Sequence, residues 1–374
     1  MGKCVSPLLS CEGMSAPTQK VRLYVDPAWR TEGVAHSPLL YPFWGNPLDP
    51  ERFPFQHALF SQHSFDTSYY ELTDDSARAD VVFLPYNHTV LMRDHRALWE
   101  QGKLVSRESG KPLLIDAITD QDLPVEHENA IILRYGGYRF LPDSRVIIVP
   151  PFTEDLLERY GDGILTLRDK QNPPRIGFAG WGSLTHTQRI RAVLKELPER
   201  LRGLIDTHYR AMKKGVFFRE QALVLFESSP DITPHFLART SYSGHVKTAS
   251  GDMRTLREQF VDNLRESDYG LDIRGDANAS TRLFEMLSLG CIPLIIDTER
   301  NYPFSDRIDY RSFSFTVDFR DLKKAPQLIR AFHDSLTNEE FRAMQERTRA
   351  AYIEYFRIDS ITPHLMEEIR RRAT

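Results

Sequence analysis

The sequence predicts an α/β protein built from two doubly wound parallel sheets that face a central cleft. Short apolar, β-branched runs alternate with helical patterns along most of the 374 residues. Several of those runs, such as Ile292-Pro293-Leu294-Ile295-Ile296, are apolar without alternation, as strands covered on both faces are. Proline breaks at Pro150-Pro151 and Pro173-Pro174 separate two series of runs and place a seam near residues 152–174.

Taken in order, residues 1–20 read as a disordered tail. The first series of predicted strands is 21–25, 80–84, 113–115, 130–133 and 146–149. The second is 176–179, 204–207, 269–273, 292–296 and 313–317. Ile190, Val193, Leu194 and Leu197 follow the spacing of one buried helical stripe, and Ala325, Leu328, Ile329 and Phe332 repeat it. Residues 339–372 read as two further helices, one carrying Phe341, Met344, Tyr352 and Tyr355, the other Ile361, Leu365 and Ile369. They either complete the second half or cross back to brace the first. The expected division is a first domain over 21–160, a second over 161–345, and C-terminal helices over 346–374. Open sheets of this kind bind ligands at the carboxyl ends of their strands, here the walls of the cleft.

Composition narrows the partners. With 41% hydrophobic residues the chain can bury two medium cores. A formal charge of −4 gives no electrostatic reason to expect nucleic acid. Lys213-Lys214 and Arg370-Arg371-Arg372 read as solvated helix faces. Three cysteines, Cys4, Cys11 and Cys291, are too few for a disulfide framework and lack metal spacing, which points to a reducing, cytoplasmic compartment. No stretch approaches the roughly 18 apolar residues of a membrane span. Met1-Gly2-Lys3-Cys4-Val5-Ser6 matches the N-myristoylation pattern, which would give peripheral membrane association through the N-terminus.

Residues 269–297 carry most of the chemistry: strand, glycine-containing loop, helix, glycine stop, strand. Gly275 allows a tight turn, Asn278 or Ser280 can cap the helix, and Gly290 suits its end. A helix N-terminus presented this way favours an anion through its free N–H groups and dipole, aided by the Ser280 and Thr281 hydroxyls. Arg282 adds a planar fork for two phosphate oxygens, with Arg274 nearby. Glu285, one turn on, can accept from ribose hydroxyls or hold Arg282. The same residues also fit a capped βαβ unit with an Arg282–Glu285 surface pair. A second glycine cluster, Gly177, Gly180 and Gly182, departs from the dinucleotide fingerprint and so argues against a nicotinamide site. It leaves a loop that lets a substrate approach the backbone, or a plain tight turn.

At these residues the sequence resembles the exostosin-like glycosyltransferases, glycosyltransferase family 47. Leu23-Tyr24-Val25-Asp26-Pro27, the block from Asp75 to Tyr86, and Ile176-Gly177-Phe178-Ala179-Gly180 with Arg189 and Arg191 follow the family's order. The closest correspondence is residues 267–304, with Ser280-Thr281-Arg282-Leu283-Phe284-Glu285 and Gly290-Cys291-Ile292-Pro293. The resemblance implies a GT-B architecture of two Rossmann-like domains, inversion at the anomeric carbon, and donor binding by the second half. Arg282 and Glu285 fall where the family has its donor-site Arg and Glu. It departs in lacking the N-terminal membrane anchor usual in the family.

The expected donor set is therefore Gly180, Arg189, Arg274, Gly275, Asn278, Ser280, Thr281, Arg282 and Glu285. The expected partners are a UDP- or GDP-linked sugar and a glycan acceptor. An inverting displacement needs a base for the acceptor hydroxyl and positive groups for the departing diphosphate. Asp26, His36, His88, Asp116 and Asp120 qualify as the base; Asp116 and Asp26 follow their strands most directly. Asp120-Gln121-Asp122 is an Asp-x-Asp triplet of the kind that holds a divalent ion, though arginine and a helix dipole make an ion unnecessary. Two other readings fit the architecture: a nucleotide-sugar epimerase or hydrolase, and a non-catalytic carbohydrate- or nucleotide-binding protein. The second draws on Tyr41-Pro42-Phe43-Trp44. Residues 228–253 read as shaping the donor pocket.

Overall fold

A computed structural model describes residues 19–120, 123–239 and 252–374. The N-terminal segment with Cys4 and Cys11, Asp122 of the acidic triplet, and 240–251 of the donor-pocket segment lie outside the described residues. The first half is a six-stranded sheet of β1 (Val21–Tyr24), β2 (Tyr70–Thr73), β3 (Val81–Phe83), β4 (Leu113–Asp116), β5 (Ala130–Arg134) and β6 (Val146–Ile148). Its order is β2-β1-β3-β4-β5-β6, every pair parallel. The second half holds β7 (Arg175–Trp181), β8 (Thr233–Arg239), β9 (Tyr269–Asp272), β10 (Ile292–Asp297) and β11 (Phe315–Asp318). Its order, β8-β7-β9-β10-β11 read from the other edge, repeats the first and is also wholly parallel. Each sheet thus has a switch point, between β1 and β3 and between β7 and β9, where ligands of doubly wound folds bind. The uniformly apolar runs are the central strands: β3, β4, β9 and β10 are buried along their whole length.

The chain crosses twice between the halves. After β6, Thr153, Asp155 and the Leu156–Tyr160 helix pack on the second half; Arg349 clamps Asp155 through two bonds of 2.7 and 2.8 Å. The return is made by the Asn338–Ala351 helix, a π turn at Tyr352–Phe356, and the Ile358–Ala373 helix. Ile358, Ile361, Leu365, Met366 and Ile369 of that last helix sit in the same core cluster as Leu23, Phe83 and Ile131 of the first sheet. The Tyr352 hydroxyl ties the turn to the Thr153 carbonyl at 3.0 Å.

Three sequence expectations are corrected. Residues 204–207 are not a strand: Leu204 and Ile205 end the Leu197–Ile205 helix, and the strand of that position is β8. Strand β2 also escaped the apolar pattern. The stripe of Ile190, Leu194 and Leu197 is exposed rather than buried. The reason is competition: Phe218, Ala222 and Phe226 of the Gly215–Glu227 helix pack on Ile176 and Phe178, while Phe260, Val261 and Leu264 of the Met253–Arg265 helix pack with Ala179. Both faces of β7 are taken, and the His186–Lys195 and Leu197–Ile205 helices are left outside.

Candidate functional site

The site begins where β7 and β9 end. Gly180 has φ +139°, and a Cβ there would lie 2.7 Å from Arg282 Nη2. A bare backbone at this strand end lets Arg282 lie across it. Arg282, second residue of the Thr281–Leu289 helix, donates to the Ala179 carbonyl at 2.9 Å and stacks 4.3 Å from the Phe178 ring centroid. Its position is set by a short path: β9 ends at Asp272, the 273–280 loop turns, and the helix starts.

Arg219 reaches the same place from the Gly215–Glu227 helix. It donates to the carbonyls of Ile273 and Trp181, each at 3.1 Å, and its Nη2 lies 4.0 Å from where a Gly275 Cβ would sit. Burial, then the neighbouring charge of Arg282, pushes the Arg219 guanidinium below its ordinary range. Two guanidinium groups brought to the same strand ends make a site that favours an anion. No motif marks Arg219; a lone arginine on a helix face gives no spacing signal.

The cap of the helix is spent elsewhere. Ser280 occupies the N-cap with extended backbone, φ −146° and ψ 117°, but its hydroxyl donates to the Asp272 carboxylate and accepts from no amide of the first turn. Asp272 also takes Arg300 Nη1 at 2.8 Å in a fully buried pair. Among the described residues no side chain caps the amides of the first turn, and Thr281 stands exposed at the helix start.

Other sequence-predicted donor residues are placed differently. The buried Arg274 guanidinium donates to the carbonyls of Ala211, Lys213 and Asp276, so it fastens the loop before the Gly215–Glu227 helix. Asn278 joins the halves: Nδ2 donates to Gly137 at 3.0 Å and Thr298 at 3.1 Å, and Oδ1 accepts from the Thr298 hydroxyl at 2.7 Å. Arg189 is held by Glu220 at 2.7 Å in a separate groove of about 730 Å³ beside Gly182 and Ser183. Glu285 does not hold Arg282. Its carboxylate accepts from Arg257 Nη1 at 2.5 Å, and Arg257 also faces Glu154 at 3.5 Å. Arg257 stacks between Phe55 of the first half and Phe260 of the second, 5.4 and 5.3 Å from the ring centroids. Burial pushes the Glu154 carboxyl up, against the opposing pull of Arg257 and Arg159. Sequence reading missed this Glu154–Arg257–Glu285 cluster because its members come from three distant segments.

The first half supplies acids at its strand ends. Asp26 caps the Pro27–Trp29 turn by accepting from Ala28 N at 2.9 Å. Asp116 is buried and accepts from Asn87 Nδ2 at 3.0 Å and Ile118 N at 3.1 Å; burial pushes its carboxyl up. Both are occupied by their own half. Asp120 is different: it is exposed, and its carboxyl is raised by partial burial and then by the charge of Asp276 in the 273–280 loop. The charge of a first-half acid is thus felt by the loop that leads into the Arg282 helix. A groove of about 660 Å³ at the ends of β1 and β2 is lined by Trp44, Arg30, Arg78, Glu71 and Asp74. Among the described residues, His63, Asp155 and Glu158 bring three potential metal ligands together, but Asp155 there is already clamped by Arg349.

Comparison with known proteins points to the same segment. Residues 206–332 match the Exostosin GT47 domain. A 117-residue stretch is 31% identical to "Exostosin-1 homolog" of Caenorhabditis elegans, covering 31% of this chain and 30% of that protein. A 167-residue stretch is 35% identical to "Probable arabinosyltransferase ARAD1" of Arabidopsis thaliana, covering 44% of this chain and 34% of that one. The chain thus spans about a third of the length of these curated relatives. A solved glycosyltransferase from Rickettsia africae aligns over 79% of this chain and 77% of its own, at 10% identity and a TM-score of 0.37. No helix among the described residues is long and apolar enough to cross a membrane.

Proposed function

We propose, for a chain whose residues 206–332 form an exostosin-type GT47 domain, the transfer of a sugar from a nucleotide-sugar donor to a hydroxyl of a glycan acceptor. The observation that carries this reading is the convergence of Arg282, Arg219 and an uncapped helix N-terminus at the switch point of the second sheet. In the proposed reaction the diphosphate lies there, its charge balanced as the bond to the anomeric carbon breaks. The acceptor enters from the first half, whose Trp44-lined groove suits the apolar face of a sugar. Asp120 takes the hydroxyl proton: it is exposed, among the described residues it has no cap to serve as Asp26 does and no amide partners as Asp116 does, and partial burial and the charge of Asp276 raise its carboxyl. Attack opposite the leaving group gives inversion. Glu285 meets the donor's ribose once bound, steadied by Arg257. No bound metal is part of this scheme, and a reducing, cytoplasmic compartment is its expected setting.

The test is a thermal-shift comparison of UDP, GDP, CMP and their sugars on the wild type and on Arg282→Ala. Saturation at 100 times the dissociation constant adds about 2.7 kcal/mol. One nucleotide class should stabilise the wild type and lose its effect in the variant. No shift with any nucleotide would sink the proposal.

A further inference from the structure

We propose that the outer helix pair of the second half, His186–Lys195 and Leu197–Ile205, is a docking surface for an anionic lipid bilayer. Ile190, Leu194, Leu197, Leu201, Leu204 and Ile205 are 55, 66, 48, 55, 75 and 93% exposed. Helical spacing sets Ile190 and Leu194 on one face of the first helix and Leu197, Leu201 and Leu204 on one face of the second, with Ile205 at its end. Soluble surfaces carry single exposed aliphatic residues freely, but six of them on two consecutive helices mark an interaction site.

The charges beside this aliphatic set select the occupant. Residues 186–214 hold eight Lys or Arg against three Asp or Glu, in a chain whose formal charge is −4. Arg189 and Arg200 are engaged by Glu220 and Glu196. Arg191, Lys195 and Arg202 are exposed, and no ion pair engages them among the described residues. A second copy packed on this set would bring those cations against their own kind, and Pro198 interrupts the helix within it. A bilayer with anionic headgroups answers both features: the aliphatic side chains enter the acyl boundary and the cations meet the headgroups. Gly182 and Ser183, at the end of β7, border the groove that also holds Arg189. A docked molecule would therefore hold that side of the cleft close to the bilayer.

The experiment is co-sedimentation of the full chain with vesicles of phosphatidylcholine alone and of phosphatidylcholine mixed with phosphatidylserine. Binding to the mixed vesicles is expected, and it should weaken as salt is raised. Leu194→Glu with Leu201→Glu should reduce it about tenfold or more, since both side chains leave the acyl boundary. Arg191→Glu with Arg202→Glu keeps the aliphatic set and should lose binding at unchanged Tm; it decides the matter if the first variant folds poorly. Four results overturn the proposal: no binding at low salt, equal binding to phosphatidylcholine alone, binding that survives both variants, or a dimer in ultracentrifugation that the leucine substitutions dissociate. The third would move the contact elsewhere in the chain, and the fourth would give this face to a second copy.

Discussion

Replacing Arg257 by methionine should destabilise the protein strongly near pH 8 and much less near pH 5. Arg257 is enclosed by Phe55 and Phe260 and is the shared cation of Glu285, at 2.5 Å, and Glu154, at 3.5 Å. Methionine retains most of the packing volume but leaves two carboxylates facing each other in a poorly hydrated place. Breaking a buried pair from one side costs about 3–5 kcal/mol. At about 2–4 °C per kcal/mol for a domain of this size, Tm should fall by about 6–20 °C. The pH dependence follows from Glu154, whose carboxyl burial already raises and Arg257 holds down. Without Arg257 it rises further, so the folded state binds a proton that the unfolded chain does not. Stability is then greatest at low pH and is lost as pH rises through the raised value. Thermal unfolding followed by circular dichroism at both pH values, with Arg257→Met/Glu285→Gln as the partial rescue, measures this. A loss that is equal at the two pH values, or below about 1 kcal/mol, would refute the assignment of a shared buried cation.

Other outcomes are expected. Asp120→Asn should lower kcat by about 10²–10⁴-fold without moving Tm, and the acid limb of the wild-type pH–rate profile should lie above the ordinary carboxylate range, as its raised carboxyl requires. Asn278→Ala should cost about 1–3 kcal/mol in urea unfolding, because it strips partners from the Gly137 and Thr298 carbonyls between the halves. Transfer activity should be retained in excess chelator; loss restored by a divalent ion would assign the Asp120 triplet to a metal instead.

The parts of the fold that composition could reveal are those buried on both faces. Residues 292–296 read as a strand because nothing polar interrupts them, and β10 is buried throughout. Strand β8 is an edge strand with Pro234, His235 and largely exposed positions, so it carries no apolar signal. Residues 204–207 mislead for the opposite reason: Leu204 and Ile205 look like strand core but stand in solvent at the end of a helix. The 275–285 loop and helix were legible because glycine, cap and arginine lie together in sequence. Arg219 and Arg257 were not, since the topology alone brings them there from other helices. Position after a strand favours Asp116 and Asp26, yet each is already committed to its own backbone or to Asn87. Whether a carboxylate is already spoken for is a tertiary fact.

The return of the Ile358–Ala373 helix to the first sheet has a consequence for how the protein is made. Ile361, Leu365 and Ile369 complete a core whose other members include Leu23 and Phe83. Synthesis delivers those early strands hundreds of residues before the helix that covers them. During that interval the first half exposes apolar surface on the ribosome, a condition that favours aggregation and calls on chaperones. A stop codon just before residue 358 would therefore injure the half of the molecule that was translated first.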